Sequence, residues 1–411
     1  MPTGKGGPRV EYVEIEGNVT APLGFRAAGG NCGVKQAAPD LVLIHSDLPA
    51  SAAATLTTNR FRAAPTYVTE RAVSSGTART IVANSGNANC ATGTQGMDNA
   101  LRMARAAAKA TGVSPSEVVV CSTGVIGVQL PIEKVEAGIA RLAPELGRDD
   151  PELVARSIMT TDTAPKQIAV EFDLGGVKAR IGGICKGAGM ICPNMATMLA
   201  FFTTDVAMAP EPLRTALRRA VQMSFNCITV DGDMSTNDTV AILANGACGA
   251  PVIASEDDAR YGVFAEALRY CATVQAKRIA RDGEGASKFV TVCVTGAASY
   301  HDAHQIARHL ANYTLLKVAV YCSEFNWGRV AAGAGAAGAD LDPAKATLWF
   351  GGVKVFERGE PLAFDGAAAG QALRAAEVDI AVDLGLGNGT ATVWTCDLTP
   401  GYIEVNAEMP T

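Results

Sequence analysis

The sequence predicts an α/β protein with layered sheets and helices. Runs of β-branched residues alternate along the chain with amphipathic stretches, an order unlike that of a helical bundle or a pure β-sandwich. The 411 residues are 48 % apolar and only 18 % charged, so the chain can bury a large core. Its 43 glycines gather between the predicted elements, where turns or close approach to a ligand require a bare backbone. We expect the functional residues in these glycine-rich runs.

Hydrophobic periodicity places the individual elements. We predict strands over residues 41–45, 80–84, 117–122 and 167–174. The predicted helical stripes consist of Ile132, Val135, Ile139 and Leu142, and of Leu213, Ala216, Leu217, Ala220 and Val221. A further helix is predicted from His301 to His309, and its histidines are expected on a solvated face. This last region follows a glycine-rich run, so we predict one domain over residues 1–285 and a smaller α/β domain over residues 286–411.

The charge and hydropathy of the chain indicate which kinds of molecule it can bind. The formal net charge of −6 is spread along the chain without a Lys/Arg block, which argues against nucleic acid. The first twenty residues lack the apolar run of a signal peptide, and no segment has about 18 uncharged apolar residues in a row. We therefore expect a cytoplasmic protein with no membrane contact and with small-molecule partners.

Metal, nucleotide and histidine chemistry have little support. The run from Asp231 opens like a calcium loop, but Thr236 and Ile242 stand where glycine and glutamate are required. The glycine run 333–338 fits a dinucleotide fingerprint in letters, yet it follows a predicted helix instead of a strand. Only four histidines are present, so a base for a His-dependent triad is poorly supplied. The 11 cysteines include no Cys-x-x-Cys pair and are predicted to be buried thiols.

The segment 186–205, KGAGMICPNMATMLAFFTTD, carries the candidate nucleophile. A glycine-rich turn and Pro193 precede an apolar run whose first polar residue is Thr197. This pattern places a hydroxyl at the start of a predicted buried strand. From the local pattern alone, Thr197 is better explained as a strand-start residue that hydrogen-bonds locally.

Motifs elsewhere change this interpretation, because the chain resembles the ornithine acetyltransferase family, the glutamate N-acetyltransferases of cyclic arginine biosynthesis. The motifs that carry the resemblance stand in the family's order: APLGFRAAG (21–29), NSGNANCATG (84–93), STGVIG (122–127), IMTTDTAPK (158–166), KGAGM (186–190), PNMATML (193–199), DGDMSTNDT (231–239), DGEGASK (282–288), NWGR (326–329) and TCDLTPGYIEVNAE (395–408). Several motifs over nearly the whole chain are far more specific than any one of them.

The resemblance implies a self-processing, DmpA/ArgJ-like fold with an N-terminal-nucleophile-type threonine. It implies a cut between Ala196 and Thr197, inside the main catalytic domain, that leaves an α chain of residues 1–196 and a β chain of residues 197–411. It further implies ping-pong transfer of an acetyl group from N2-acetylornithine to L-glutamate through acetyl-Thr197, without a metal or other cofactor. Some members also use acetyl-CoA as a donor. The αβ units are expected to associate, as a heterotetramer.

The resemblance also assigns roles to individual residues. Thr123, through its hydroxyl, and Gly124, through its N–H, would form the oxyanion hole. The substrate site would consist of Thr160, Lys186, Thr197, Glu284, Asn406 and Thr411. On charge alone, Lys186 suits a carboxylate and Glu284 suits a cationic side chain.

Plainer explanations stay open for the same residues. Lys186 and Glu284 can be exposed loop charges, as most lysines and glutamates are, and STGVIG can be a turn or cap at the end of a strand.

The self-cleavage that the family undergoes would supply the missing base. Attack of the Thr197 hydroxyl on the preceding carbonyl, followed by ester hydrolysis, leaves Thr197 with a free α-amine. Such an amine has a reference pKa of about 7.7 to 8.0, so part of it is neutral near pH 7 and can accept the hydroxyl proton. Catalysis then needs no histidine.

Two segments depart from the family pattern. Pro410 stands beside the terminal Thr411 where family tails usually carry Arg or another polar residue. The segment 321–325 lacks an Asp-Pro turn that is expected before NWGR. Two other functions therefore stay open at this point: a self-processing aminopeptidase or amidase, and a non-catalytic amino-acid-binding homologue.

Overall fold

Strands and helices alternate along the chain in the computed structural model, which describes residues 12–148, 150–192 and 198–408. The strands are β1 Tyr12–Glu14, β2 Phe25–Gly30, β3 Leu41–Ser46, β4 Ser51–Leu56, β5 Thr80–Asn87, β6 Val118–Val125, β7 Lys166–Asp173, β8 Lys178–Lys186, β9 Leu199–Thr204, β10 Thr239–Ala244, β11 Phe289–Ala297, β12 Thr347–Phe350, β13 Val353–Glu357, β14 Glu360–Pro361, β15 Glu377–Asp383 and β16 Gly389–Cys396. The four predicted strands correspond to β3, β5, β6 and β7, so these predictions are confirmed. The fold is α/β, as predicted.

The α-helices are α1 Ala64–Ser74, α2 Gly93–Thr111, α3 Ile132–Leu142, α4 Pro151–Arg156, α5 Pro210–Gln222, α6 Ala259–Arg281, α7 Tyr300–Asn312, α8 Thr314–Cys322, α9 Gly328–Gly335, α10 Gly366–Ala372 and α11 Pro400–Glu408. The two predicted stripes lie on α3 and α5, where all their residues are buried. Within the described ranges, no helix is both long and apolar enough to cross a membrane.

The first sheet has six strands in the order β1-β7-β8-β9-β10-β4. Strand β9 is antiparallel to β8 and parallel to β10, and the register pairs Leu199 with Lys186 on one side and with Thr239 on the other. At this edge of the sheet β8 therefore ends, and β9 and β10 begin. Met198, which immediately precedes β9, accepts a hydrogen bond from the Thr239 N–H at 2.9 Å.

The second sheet, of order β2-β3-β5-β6, packs face to face on the first. Alternation along β3 explains the layering: Val42 and Ile44 join the apolar layer between the two sheets, whereas Leu41 and Leu43 face helices α2 and α3. On the far side of the first sheet, α5 and α6 cover a separate apolar layer. The result is a helix–sheet–sheet–helix arrangement in which both sheets are buried on both faces.

The third sheet, β14-β13-β12-β15-β11-β16, is drawn from residues 289–396 and packs on α7, α8 and α9. Its core is separate from those of the other two sheets. The chain returns from β16 through α11 toward the first sheet, where the Thr399 hydroxyl donates to the Gly285 carbonyl at 2.6 Å. The division into domains at residue 285 stays a prediction.

Two sequence-based predictions about side chains need correction. The solvated histidine face on α7 is wrong for His304, whose ring lies 3.1 Å from the Asn226 carbonyl, and for His309, whose Nε2 is buried. Both rings pack on tyrosines one turn away, so apolar contact with the helix's own neighbours draws them inward. Of the cysteines predicted to be buried, eight are buried, two are partly buried and Cys322 is exposed at the end of α8.

Candidate active site

A cleft opens at the edge where β6, β8 and the loop before β10 meet. Its lining includes all six predicted site residues that the structure describes, namely Thr123, Gly124, Thr160, Lys186, Glu284 and Asn406. Ala196, Thr197 and Thr411 lie outside the described residues. Met198 and Leu199, the residues that follow Thr197 in the sequence, line the cleft. None of the four histidines does, and the departing segment 321–325 does not either.

Lys186 ends β8 with its side chain only 8 % exposed. Its Nζ donates to the Thr160 hydroxyl at 2.6 Å and to the Thr123 hydroxyl at 3.4 Å. Among the described residues no carboxylate forms an ion pair with it, so one of the three ammonium donors remains for a ligand. Burial lowers the pKa of Lys186, and the carboxylate of Asp162 opposes that shift.

A buried ion network lies directly behind Lys186. Asp162 accepts hydrogen bonds from the Gly187 N–H and from Lys166 Nζ, both at 2.7 Å, and from the Thr160 N–H at 3.0 Å. Lys166 also pairs with Asp282 at 2.5 Å. Burial opposes ionisation of Asp162, but Lys166 and then Lys186 outweigh it and lower its pKa to about 2. The network ties together the segments that carry Thr160, Lys186 and Glu284.

Glu284 is buried, 7 % exposed, at the opposite wall of the cleft. Its Oε2 accepts a hydrogen bond from Asn406 Nδ2 at 2.8 Å, and its N–H donates to the Ala188 carbonyl at 2.9 Å. A Cβ at Gly189 would lie 2.2 Å from the Glu284 carboxyl carbon, so only glycine leaves room for that carboxylate. The explanation of Lys186 and Glu284 as exposed loop charges is therefore wrong, because the walls of the cleft cover both.

Thr123 and Gly124 stand at the end of β6, beside Ser85 and Gly86 of β5. Gly124 has φ +131°, and a Cβ there would lie 2.3 Å from the Gly86 carbonyl carbon. Glycine is required by the close approach of two strands, whether or not a ligand is bound. Because Lys186 donates to the Thr123 oxygen, the hydroxyl proton of Thr123 remains available to an acceptor in the cleft.

Asp231 holds the loop between β8 and the cleavage segment, a role that the sequence analysis missed. Its carboxylate accepts the N–H groups of Met190 at 2.6 Å and Ile191 at 2.9 Å. Met190 has φ +53°, a left-handed conformation that is rare for a long side chain, and these hydrogen bonds offset its cost. The Tyr402 hydroxyl on α11 donates to the same carboxylate at 3.4 Å. In the sequence this aspartate opens both a failed calcium loop and the motif DGDMSTNDT, and neither pattern assigns it this role.

Asn237 and Asp238 were also missed, because the polar run DGDMSTND is typical of an exposed loop. Asn237 Nδ2 donates to the carbonyls of Ala88 and Ser122, at 2.6 and 2.9 Å, and so joins β10 to the end of β6. Asp238 is only 1 % exposed, and neither of its carboxyl oxygens has a hydrogen-bond partner among the described residues. Burial raises the pKa of Asp238 well above its ordinary value.

Comparison with known proteins assigns this chain to a family. A model described as the ArgJ family matches residues 26–411. The arginine biosynthesis bifunctional protein ArgJ of Symbiobacterium thermophilum is 48 % identical over 404 residues, which cover 97 % of this chain and 99 % of that protein. The protein of the same name from Geobacter sulfurreducens is 48 % identical over 390 residues, covering 94 % and 99 %.

Solved structures of two relatives also match. The arginine biosynthesis bifunctional protein ArgJ of Bacillus halodurans is 38 % identical with a TM-score of 0.50, and the match covers 52 % of this chain and 100 % of that one. An ornithine acetyltransferase of Mycobacterium tuberculosis, solved in complex with ornithine, is 38 % identical with a TM-score of 0.42, covering 45 % of this chain and 100 % of that one.

Proposed function

This chain belongs to the ArgJ family, the ornithine acetyltransferases of arginine biosynthesis, and we propose that it transfers an acetyl group from N2-acetylornithine to L-glutamate through an ester on Thr197. The observation that carries the proposal is the cleft beside Met198. There a buried lysine with an unused donor, two hydroxyls and a buried carboxylate surround the residues that directly follow Thr197. These groups match a small acyl donor with a carboxylate at one end and an ammonium at the other.

Cleavage between Ala196 and Thr197 is the first step of the proposed mechanism. The Thr197 hydroxyl attacks the Ala196 carbonyl carbon, the peptide C–N bond breaks, and water hydrolyses the resulting ester. The solved chain of the Bacillus halodurans relative is matched over its whole length, yet it covers only 52 % of this chain. This share supports such a cut. Residues 197–411 are 215 of 411 residues, which is also 52 % of the chain.

Acetyl transfer then follows a ping-pong course. The new α-amine accepts the Thr197 hydroxyl proton while the oxygen attacks the acetyl carbonyl. The Thr123 hydroxyl and the Gly124 N–H stabilise the oxyanion, each contributing roughly 3 kcal/mol if they resemble oxyanion-hole donors in other acyl-transfer enzymes. Lys186 binds the substrate α-carboxylate, and Glu284 binds the side-chain ammonium of ornithine. Glutamate then takes the acetyl group from Thr197.

The proposed exchange needs no metal, nucleotide or redox cofactor, because one amide is replaced by another of similar energy. Use of acetyl-CoA as a further donor, association of αβ units into a heterotetramer and a cytoplasmic location stay predictions. So do the roles of Ala196, Thr197 and Thr411.

The proposal is tested with purified wild-type protein and two variants. Wild type should give two bands near half size on denaturing electrophoresis. It should release ornithine from N2-acetylornithine over many turnovers only when glutamate is present, and no more than one equivalent per site without it. Thr197→Ala should stay uncut, folded and inactive, whereas Thr197→Ser, which keeps a hydroxyl, should retain some cleavage and transfer. A Thr197→Ala protein that is still cut and active would refute the mechanism. Release of ornithine over many turnovers without glutamate would instead indicate an amidase.

A further inference from the structure

Asp238 carries a buried carboxyl in the lining of the cleft, and the mechanism above does not use it. It lines the cleft with a side chain 1 % exposed, and both of its carboxyl oxygens lack a hydrogen-bond partner in the described part of the chain. A buried carboxyl without partners is costly, so folded proteins rarely keep one without a use. The hydroxyls of Thr57 and Ser235 and the Met198 N–H lie near this carboxyl and favour its charged form, but none of them meets hydrogen-bond geometry.

The backbone fixes Asp238 in place. The Thr57 N–H donates to the Asp238 carbonyl at 2.9 Å, and the next residue, Thr239, donates to the Met198 carbonyl at 2.9 Å. On the other side, the side chain of Asn237 is anchored to Ala88 and Ser122. Asp238 therefore belongs to the rigid edge of the first sheet, next to the segment that follows the proposed nucleophile.

The other acidic groups of the cleft are occupied or exposed. Asp231 accepts three backbone N–H groups, from Met190, Ile191 and Asp233. Glu284 is bonded to Asn406, and Asp233 is exposed to solvent. Among the acidic residues described there, Asp238 alone is both buried and unpartnered. Burial keeps its pKa well above the usual carboxyl range, although the nearby Lys186 ammonium acts in the opposite direction.

We propose that Asp238 is the acid–base residue for the substrate nitrogen: it protonates the amine that leaves and deprotonates the amine that enters. This inference rests on the proposed function, in which the two substrates are α-amines that exchange one acetyl group. The α-amine of Thr197 takes the proton of the nucleophilic hydroxyl. The leaving nitrogen also needs a proton, and an uncharged carboxylic acid in the cleft supplies it directly, so that the α-ammonium keeps its proton for the Thr197 oxygen in the second half-reaction.

The two half-reactions balance. In the first, the Thr197 oxygen bonds to the acetyl carbon, the hydroxyl proton passes to the α-amine, and the acetyl C–N bond breaks as Asp238 gives its proton to nitrogen. Ornithine leaves and Asp238 is left as a carboxylate. In the second, neutral glutamate amine attacks the ester, its surplus proton passes to the Asp238 carboxylate, and the Thr197 oxygen regains its proton from the α-ammonium. Asp238 ends in its starting form.

The test compares acetyl donors that differ in their need for a proton. N2-Acetylornithine has an amine leaving group and needs an acid, whereas 4-nitrophenyl acetate releases a stable phenolate and does not. In Asp238→Asn, acetylation of Thr197 by N2-acetylornithine should fall on the order of 10²-fold or more, while acetylation by the aryl ester stays within about threefold of wild type. A purely structural role would reduce both rates together, and this result would overturn the proposal.

The second half-reaction gives an independent comparison. Acetyl-enzyme made with the aryl ester is mixed either with glutamate or with hydroxylamine, which is already neutral near pH 7 and needs little help from a base. Asp238→Asn should react slowly with glutamate and normally with hydroxylamine. Equal rates in variant and wild type with glutamate would show that the α-amine handles both protons, and would also overturn the proposal.

Two further variants keep the result interpretable. Asp340→Asn makes the same chemical change at an exposed aspartate outside the cleft and should match wild type with every donor. If Asp238→Asn accumulates as folded, uncut protein, Asp238→Glu replaces it in the same comparison. Its carboxyl is displaced by one methylene and reaches the substrate nitrogen less well, so acetylation by N2-acetylornithine should fall more than acetylation by the aryl ester. An equal loss on both donors would refute the proposal. If wild type itself fails to transfer acetyl to glutamate, the proposed function fails instead.

Discussion

Lys186 and Lys317 are both buried lysines, at 8 % and 5 % exposure, but their surroundings differ. Lys317, on α8 against the third sheet, donates to the Thr395 hydroxyl at 2.9 Å and to the carbonyl of Cys396, and lies 4.0 Å from the Cys396 sulfur. Lys186 donates to two hydroxyls only. Groups of the protein itself take up the donors of the Lys317 ammonium, whereas one donor of the Lys186 ammonium is left for a ligand. The comparison separates a lysine that holds the fold from one that can hold a ligand.

The groups around each lysine reinforce this difference. Lys317 lies against a core of aliphatic side chains from the third sheet. Lys186 lies between the Asp162 network and the carboxyls of Asp238 and Glu284, which all influence its charge. Buried charges are expensive unless paired, so a cluster of this kind marks a site where charge has a function. The first prediction compares the two lysines directly, and the next three test the surroundings of Lys186.

The largest effect is expected from replacing each lysine by methionine. Lys186→Met removes the proposed carboxylate partner and should lower kcat/KM for N2-acetylornithine by roughly 10²- to 10³-fold, equivalent to about 3–4 kcal/mol, within the range expected for a broken buried charge pair. Lys317→Met should leave activity per folded molecule unchanged and destabilise the protein by about 1–3 kcal/mol. Steady-state kinetics with urea denaturation measures both. Similar kinetic losses in the two variants would remove the distinction.

Asp162→Asn should have the next largest effect, because it breaks the network behind Lys186. The depressed pKa of this carboxyl means that it stabilises the folded protein above about pH 4, and that this stability is lost as pH falls toward 2. Its contribution is about 2 kcal/mol. Urea denaturation at pH 7 and pH 3 should show a difference between wild type and variant that shrinks in acid. A constant difference would mean that Asp162 is not charged in the folded state.

The alkaline pH dependence of KM should report on Lys186. Because burial lowers its pKa, the ammonium is lost at a lower pH than an ordinary lysine. Since the charged form binds the substrate carboxylate, KM for N2-acetylornithine should rise with pH before the usual lysine range near 10.4. In Lys186→Arg, whose charge persists, the alkaline rise should disappear even if KM is higher at every pH. An unchanged pH profile in that variant would exclude Lys186 from binding.

Asn406→Ala should have the smallest effect. The asparagine donates one hydrogen bond to Glu284, so its loss should cost about 0.5–1.5 kcal/mol and raise KM for N2-acetylornithine by several-fold. KM for glutamate, which has no cationic side chain, should change less. Competition assays with the two substrates measure that ratio, and equal changes for both would argue against a role for Glu284 in recognising the ornithine side chain.

Sequence reasoning located this site chiefly through its motifs. Thr123, Lys186 and Glu284 are far apart in the chain, and only the order of motifs predicted that they meet. Local periodicity predicted β3, β5 and α5 because each buries a regular apolar face. The fold supplies the remaining information, since the register of β9 places Lys186 on one side of Leu199 and Thr239, the start of β10, on the other.

The residues that were missed share a physical reason. Asp162, Asp231 and Asp238 lie in polar loops whose letters give no sign of burial, and their partners come from distant segments. Whether a carboxylate is paired, or left unpartnered, depends on tertiary contacts that no local pattern encodes. His304 on α7 was misjudged for the same reason, because the Asn226 carbonyl beside its ring belongs to a distant segment.

The central claim is that Thr197 carries the acetyl group, and intact mass spectrometry of rapidly quenched samples tests it most directly. Protein mixed with N2-acetylornithine, without glutamate, should contain a chain that starts at Thr197 and is heavier by one acetyl group, mapped by fragmentation to Thr197. Addition of glutamate should remove that mass. An uncut chain, or an acetyl group that resides elsewhere and transfers at the same rate, would contradict the claim.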